Sequence, residues 1–298
     1  HRGSTRRELA HPPGGPAPRA SGAPDRGAAE ATDLRRPTGF EPYHGSPRLL
    51  RRAELPHDTF WTRSVAGAEP VYGERVRPRP EGALRLFEPG RSKLAAGLAR
   101  GLTAPLPRPG ERWLYLGAAT GTTASHVADL VGPTGRVYAV EKSVRPFARL
   151  LALARRYPNL CPVLGDAGWT DRHLGLIPPV DGLYADLAQP DQVELVLENA
   201  REFLRDGGAL LCALKTASMG RDRTPEEHAR RARESLASEF ELAAAIPLEP
   251  FHRRHFLLAG RGGRGSAASA PTRRAAGGMA DPGEPATRRS ARRAGPRW

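Results

Sequence analysis

Apolar runs of strand length recur through the second half of the chain, separated by stretches with helical spacing. Trp113-Leu114-Tyr115-Leu116, the segment 136–141, the segment 160–164, Gly182-Leu183-Tyr184-Ala185 and the segment 209–214 are such runs. They are nearly continuous rather than alternating, as in parallel strands buried on both faces. Helical patterns lie between them at 123–131, 145–157, 191–204 and 225–238, and another precedes them at 91–101. Gly101 closes the first of these, and Pro158 stops the helix that ends at Tyr157. Two further strands, 240–247 and 255–259, have no long helix between them, so they form a hairpin and set an antiparallel strand at the close of the sheet. Residues 91–260 thus predict an α/β domain with a mainly parallel sheet covered by helices.

The pattern differs upstream. Short β-like pieces at 59–62, 71–76 and 83–87 sit among Gly and Pro turns, and predict a small antiparallel β domain over 38–90. A segment of about 50 residues makes little core alone, so it packs on the α/β domain downstream of it. Residues 1–37 and 261–298 are rich in Pro, Gly, Ala and Arg and read as disordered tails. No run of about 18 apolar residues occurs, so no membrane span is expected. The N-terminal segment lacks the apolar stretch of a secretory signal, and it opens on His1, as either a fragment or a misplaced start would.

Charge changes this picture little. The formal net charge of +14 is carried mostly by the tails: residues 1–37 hold seven Arg against four acids, and residues 261–298 nine against two. A polyanionic partner is supported only weakly. Lysine is more telling. Of 46 cationic residues three are lysine: Lys93, Lys142 and Lys215. Where nearly every cation has become Arg, a surviving Lys either persists by chance or does chemistry that needs a compact ammonium of adjustable pKa. Cys161 and Cys212 lie in apolar runs, too few for a disulfide framework or a metal knuckle, and read as core residues of a protein in a reducing setting.

Candidate chemistry begins where the first strand runs into Gly117-Ala118-Ala119-Thr120-Gly121-Thr122-Thr123 and then a helix. Ligands of doubly wound sheets bind beyond the carboxyl ends of the strands, and small residues let the backbone approach them. The Gly-x-x-x-Gly spacing differs from the dinucleotide fingerprint and disfavours nicotinamide chemistry. Glu141 ends the second strand, where an acid accepts hydrogen bonds from ribose hydroxyls; Asp166 follows the third, suited to an adenine amino group; Asp186 ends the fourth. Any one of these acids could merely cap a helix. Three in succession suit a cationic, phosphate-free nucleoside such as S-adenosylmethionine.

With these residues the chain resembles fibrillarin, the ribose methyltransferase of box C/D guide-RNA particles, in its shorter archaeal form. The resemblance rests on Val-Tyr-Gly-Glu-Arg-Val (71–76), Arg-Ser-Lys-Leu-Ala-Ala (91–96) and the long run 114–127. It continues in Val-Tyr-Ala-Val-Glu (137–141), Ala-Asp-Leu-Ala-Gln-Pro-Asp-Gln (185–192) and Leu-Glu-Pro-Phe-His-Arg-Arg-His (248–255). It implies a Rossmann-like S-adenosylmethionine methyltransferase sheet. It implies a donor site at Gly117, Ala118, Thr122, Thr123, Glu141, Lys142, Asp166, Ala167, Asp186, Leu187, Ala188 and Gln189. It further implies a reaction centre of Lys93, Asp186, Lys215 and His255, so that two of the three lysines fall on its two lysine positions. The implied activity is guided 2′-O-methylation of ribosomal and transfer RNA. The implied partners are box C/D guide RNA, target RNA, a Nop-family scaffold and a kink-turn-binding protein. The archaeal form is cytoplasmic and the eukaryotic one nucleolar. Lys142 departs from the family, which has an aromatic residue there; an ammonium cannot stack on the nucleoside, so weaker donor binding is expected.

The expected chemistry gives Lys215 the central place, holding the ribose hydroxyl and either accepting its proton or relieving its developing charge, with Asp186 orienting the ammonium and His255 positioning lysine or ribose. Taken singly, His255 is more often an ordinary strand histidine, and His126 reads as a packing residue. Arg145, Arg149, Arg155, Arg156, Arg230, Arg231 and Arg233 either line an RNA surface or solvate helix faces, the second reading being slightly favoured. Two other readings stand beside this one: a methyltransferase acting on protein side chains or a small molecule, and a non-catalytic particle subunit with a decayed pocket.

Overall fold

The computed structural model describes residues 39–54, 56–103 and 105–263, and the expectations for residues 1–37 and 264–298 lie outside them. The N-terminal strands are β1 (Glu41–Tyr43), β2 (Ser46–Arg52), β3 (Thr59–Arg63), β4 (Val76–Arg77) and β5 (Leu84–Leu86). They form one antiparallel sheet in the order β1-β2-β3-β5-β4. Leu49, Phe60 and Phe87 join the same buried cluster as Trp113, Tyr115 and Tyr184 from the large sheet. Leu50, Trp61, Leu84 and Leu86 form a small cluster of their own with Phe40.

The expected strand over 71–76 is absent. The Glu74 carboxylate accepts the backbone N–H groups of Val71 and Tyr72, which folds the segment into a turn, and Gly73 takes φ +89° there. Glu74 also pairs with Arg85 (2.6 Å). Arg85 is fully buried; besides Glu74 it binds Asp129 (2.8 Å), the Tyr157 hydroxyl (2.6 Å) and the Ser125 hydroxyl (3.1 Å). Burial works against the guanidinium charge, but Asp129, Tyr157 and Glu74 hold its pKa above the usual value. Local pattern cannot reveal such a node, whose members other than Glu74 lie 40 or more residues from Arg85.

The larger layer begins with helix α1 (Lys93–Ala99), whose first turn is capped by the Ser92 hydroxyl. There follow β6 (Arg112–Leu116), α2 (Thr122–Val131), β7 (Arg136–Glu141), α3 (Val144–Ala154) and β8 (Leu160–Leu164). Next come a one-turn helix α4 (Thr170–His173), β9 (Val180–Ala185), α5 (Gln192–Phe203), β10 (Leu204–Lys215), α6 (Pro225–Leu236), β11 (Phe240–Pro247) and β12 (His255–Gly262). β12 runs past residue 260, so the strand continues into what composition assigned to the tail. The sheet order is β11-β12-β10-β9-β6-β7-β8, with β12 antiparallel to both its neighbours. The order reverses between β6 and β9, and ligand crevices of such sheets open at that point. Cys212 is buried in β10 and its thiol is pushed up to about 12 by that burial, whereas Cys161, on the edge strand β8, is only half-buried. Among the described residues no helix is long and apolar enough to cross a membrane. His126, expected to pack, is fully buried, stacks on Phe87 and bonds the Thr62 and Tyr72 hydroxyls.

Candidate active site

A cleft of about 240 Å³ opens at the carboxyl ends of β6, β7, β8 and β9. The Gly-rich turn after β6 forms its floor. The N–H groups of Gly117 and Ala118 both donate to the Val140 carbonyl, and the Asp186 N–H donates to the Leu116 carbonyl (2.9 Å), so the turn is clamped to the strands on either side. Gly117 has φ +78°, and a Cβ there would lie 2.4 Å from the Asp186 carbonyl oxygen. Alanine at this position must therefore push the end of β9 away. Gly117→Ala is expected to weaken donor binding by about a hundred-fold, the scale of a misplacement of about an ångström, while the fold melts normally. Calorimetric titration with S-adenosylmethionine checks it, and an unchanged affinity would contradict the clamp.

Glu141 is nearly buried and already held: Oε2 accepts the Ala119 N–H (2.9 Å) and Oε1 the Ser143 N–H (2.7 Å). Each oxygen keeps a lone pair for a hydroxyl of a ligand. Of the expected donor residues, Gly117, Glu141, Lys142, Ala167, Asp186, Leu187, Ala188 and Gln189 line the cleft, joined by Ala119, Val140, Ser143 and Gly165. Four expected residues do not line it. Ala118 is buried beneath the turn. Thr123 is buried and donates from its hydroxyl to Ser92 (2.9 Å), fastening α2 to the start of α1. Thr122 faces a neighbouring cavity with Arg91 and Arg149. Asp166 folds onto its own turn, accepting the Gly168 N–H (3.0 Å), and lies 3.4 Å from the Lys142 ammonium; the N–H and the ammonium hold its carboxyl below the usual range. Lys142 also donates to the Gln189 side chain (2.9 Å), so an ion pair and a hydrogen bond occupy the place an aromatic ring has in the family.

Lys93 opens α1 and its ammonium meets the Asp186 carboxylate at 2.7 Å, each side chain about one-fifth exposed. Lys215 ends β10 directly opposite His255 on β12. Among the described residues its ammonium has no hydrogen-bond or ion-pair partner, so the structure joins Lys93 to Asp186 and leaves Lys215, at the end of β10, uncommitted. The backbone of Lys215 is fixed by Gln192, which sequence reasoning passed over. The buried Gln192 amide accepts the Lys215 N–H (3.0 Å) and donates to the carbonyls of Lys215 (3.2 Å) and Gln189 (2.9 Å). The wall of the cleft and the lysine strand are thereby one unit. The signal available was a glutamine inside the family-like run 185–192, but nothing local says what it holds.

His255 Nδ1 donates to the Arg253 carbonyl (2.7 Å), which leaves Nε2 with its lone pair free. Burial pushes the ring's pKa down and the nearby Lys93 ammonium lowers it further, against Asp186. His252, also missed, donates from Nε2 to the Pro89 carbonyl (2.8 Å) and pins the loop that carries Lys93. Burial thus favours the neutral form of the His255 ring. Removing the cation in Lys93→Met leaves burial and His252 still lowering the His255 pKa but takes away one cause of the fall, so the pKa should rise. Proton NMR titration of the ring reads this directly; an unchanged pKa would mean that Lys93 and His255 do not sense one another.

A sheet with this strand order, and with acids ending its successive central strands, is a Rossmann-like methyltransferase sheet. A family model described as Fibrillarin matches residues 52–263. This chain belongs to the fibrillarin family. The fibrillarin-like rRNA/tRNA 2′-O-methyltransferase of Aeropyrum pernix is 41% identical over 198 residues, covering 66% of this chain and 85% of the relative. The structure of Aeropyrum pernix fibrillarin with natively bound S-adenosyl-L-methionine aligns with a TM-score of 0.68 at 38% identity, over 74% of this chain and 97% of that one. A fibrillarin/Nop5p complex contains a chain that aligns with a TM-score of 0.64 at 38% identity, over 68% and 94%.

Proposed function

We propose that this chain transfers a methyl group from S-adenosylmethionine to a ribose 2′-hydroxyl of RNA. It does so held on a Nop-family scaffold, with guide RNA choosing the nucleotide and a kink-turn-binding protein completing the particle. The observation that carries this reading is the 2.7 Å contact between Lys93 and Asp186 at the cleft, with Lys215 and His255 paired on the neighbouring strands. The cleft suits the donor: Glu141 offers lone pairs to ribose hydroxyls, and the Asp186 carboxylate lines the wall where a cation would lie. Bound there, S-adenosylmethionine supplies an electrophilic methyl on a sulfonium.

The chain's own residues then have separable tasks. Lys93 aims the Asp186 carboxylate. Gln192 fixes the strand end from which Lys215 reaches. The Lys215 ammonium, with no partner of its own among the described residues, holds the 2′-oxygen and stabilises the negative charge that develops on it. The free Nε2 of His255 accepts a hydrogen bond from the hydroxyl and takes its proton as the oxygen–methyl bond forms and the sulfur–methyl bond breaks. Attack by oxygen on carbon needs this alignment more than it needs a strong base.

Reconstitution with guide RNA and the two partner proteins tests the whole reading. Methyl transfer is expected onto the guided nucleotide alone, and is expected to vanish when its 2′-hydroxyl is replaced by hydrogen. Transfer that persists onto the deoxy nucleotide, or onto a protein component, would overturn it.

A further inference from the structure

A further cavity, of about 420 Å³, lies between the segment after β10 and the turn before β12. Thr216, Arg221, Arg223, Arg254 and His228 line it and no acid does. Thr216 follows Lys215 and Arg254 precedes His255, so two of its walls are chain neighbours of the proposed chemistry. Asp222 neutralises Arg223. Arg221 and Arg254 are exposed, and among the described residues their guanidinium groups have no partner.

Two further features mark the cavity as built. Arg254 has φ +56°, a left-handed conformation that a side-chain-bearing residue adopts at a cost. Thr216 holds it there by donating both its N–H (3.2 Å) and its hydroxyl (2.9 Å) to the Arg254 carbonyl. His228 is more than nine-tenths buried in the wall, and its Nε2 has no hydrogen-bond partner; Asp222 at 4.0 Å is out of range. A buried imidazole nitrogen left open beside uncommitted guanidinium groups is completed by a ligand rich in acceptor oxygens.

We propose that this cavity is a phosphodiester subsite that grips the RNA backbone next to the nucleotide being methylated. The inference rests on the ribose-methylation reading above. A ribose 2′-hydroxyl stands on the carbon beside the one that carries the 3′-phosphodiester. A strand that presents this hydroxyl to Lys215 therefore brings an anion alongside, and the Thr216 and Arg254 walls are where it can be met. Arg221 and Arg254 supply the charge and fork geometry that phosphate oxygens take. The contact positions the strand and reads no sequence, which leaves selection to base pairing.

The test compares two double variants of the full chain that remove the same charge. Arg221→Gln with Arg254→Gln empties the cavity of its free cations. Arg112→Gln with Arg136→Gln removes two exposed arginines from the opposite ends of β6 and β7. Binding of a fluorescein-labelled single-stranded RNA is followed by anisotropy from low to moderate salt. The first pair is expected to weaken binding about ten-fold at low salt and to flatten the log–log salt slope by about 0.7 per lost contact. The second pair is expected to change the slope by much less. Calorimetry with S-adenosylmethionine should give parental affinity for both, which separates this anion site from the donor cleft. Equal effects in the two pairs, or no effect in the first, would overturn the subsite. So would a loss confined to binding of the Nop-family protein, which would make the cavity a protein contact. Failure of guided methylation by the parental chain would instead sink the underlying reading, and anisotropy does not depend on it.

Discussion

Arg85→Met should destabilise the fold by about 3–5 kcal/mol, the cost of removing one partner from a buried ion network. Methionine fills much of the volume, so the loss is electrostatic rather than a cavity effect. The Glu74 and Asp129 carboxylates, both buried, would be left facing one another's surroundings without a cation. The Tyr157 and Ser125 hydroxyls lose a donor at the same time. For a described fold of this size the change corresponds to roughly 10 °C in Tm. Urea and thermal melts of the variant measure it. A loss below about 1 kcal/mol would show that the network does not weld the N-terminal sheet to α2. Removing the acids as well, with Glu74→Gln and Asp129→Asn, should return part of the stability, since the penalty comes from uncompensated charge.

Lys215→Met should lower single-turnover methyl transfer in the reconstituted particle by about a hundred- to thousand-fold, the range found when one charge-stabilising donor is removed. Donor affinity should stay within about two-fold of the parent, because Lys215 is not among the residues lining the cleft. Lys215→Arg should fail to restore the rate: a planar fork cannot place a compact ammonium at the 2′-oxygen. Near-parental turnover in either variant would remove Lys215 from the chemistry. The combination of lost rate and retained binding is what distinguishes a reacting group from a structural one.

The parts of this molecule legible in the sequence are those governed by local periodicity. The runs at 136–141, 160–164 and 240–247 become β7, β8 and β11 with the same limits, because continuous apolar stretches of that length have few other homes. The arithmetic of cations singled out three lysines, and two of them touch groups at the cleft while the third ends the adjacent β10. Where side chains rather than periodicity decided the backbone, reading failed. Val71–Val76 looks like a strand, but the Glu74 carboxylate outcompetes the ladder for its N–H groups. Gln192 and His252 act on segments 23 and 163 residues away, and no pattern within a helix or turn announces such reach. Asp166 looked free to meet a nucleoside, yet a turn N–H and a neighbouring ammonium already occupy it. The arginine-lined hollow after β10 left no trace either, since among 43 arginines nothing distinguishes Arg221 or Arg254 until their neighbours are known.

β12 is the last strand to leave the ribosome among those described, yet it lies inside the sheet, wedged between β10 and β11. Until its eight residues arrive, two strands that are not partners face an empty slot and His255 does not exist. A nascent chain paused before that point lacks both His255 and the strand against which Lys215 is registered. The edge of β10 that carries Lys215 is therefore completed late, by a strand that has to insert between two others.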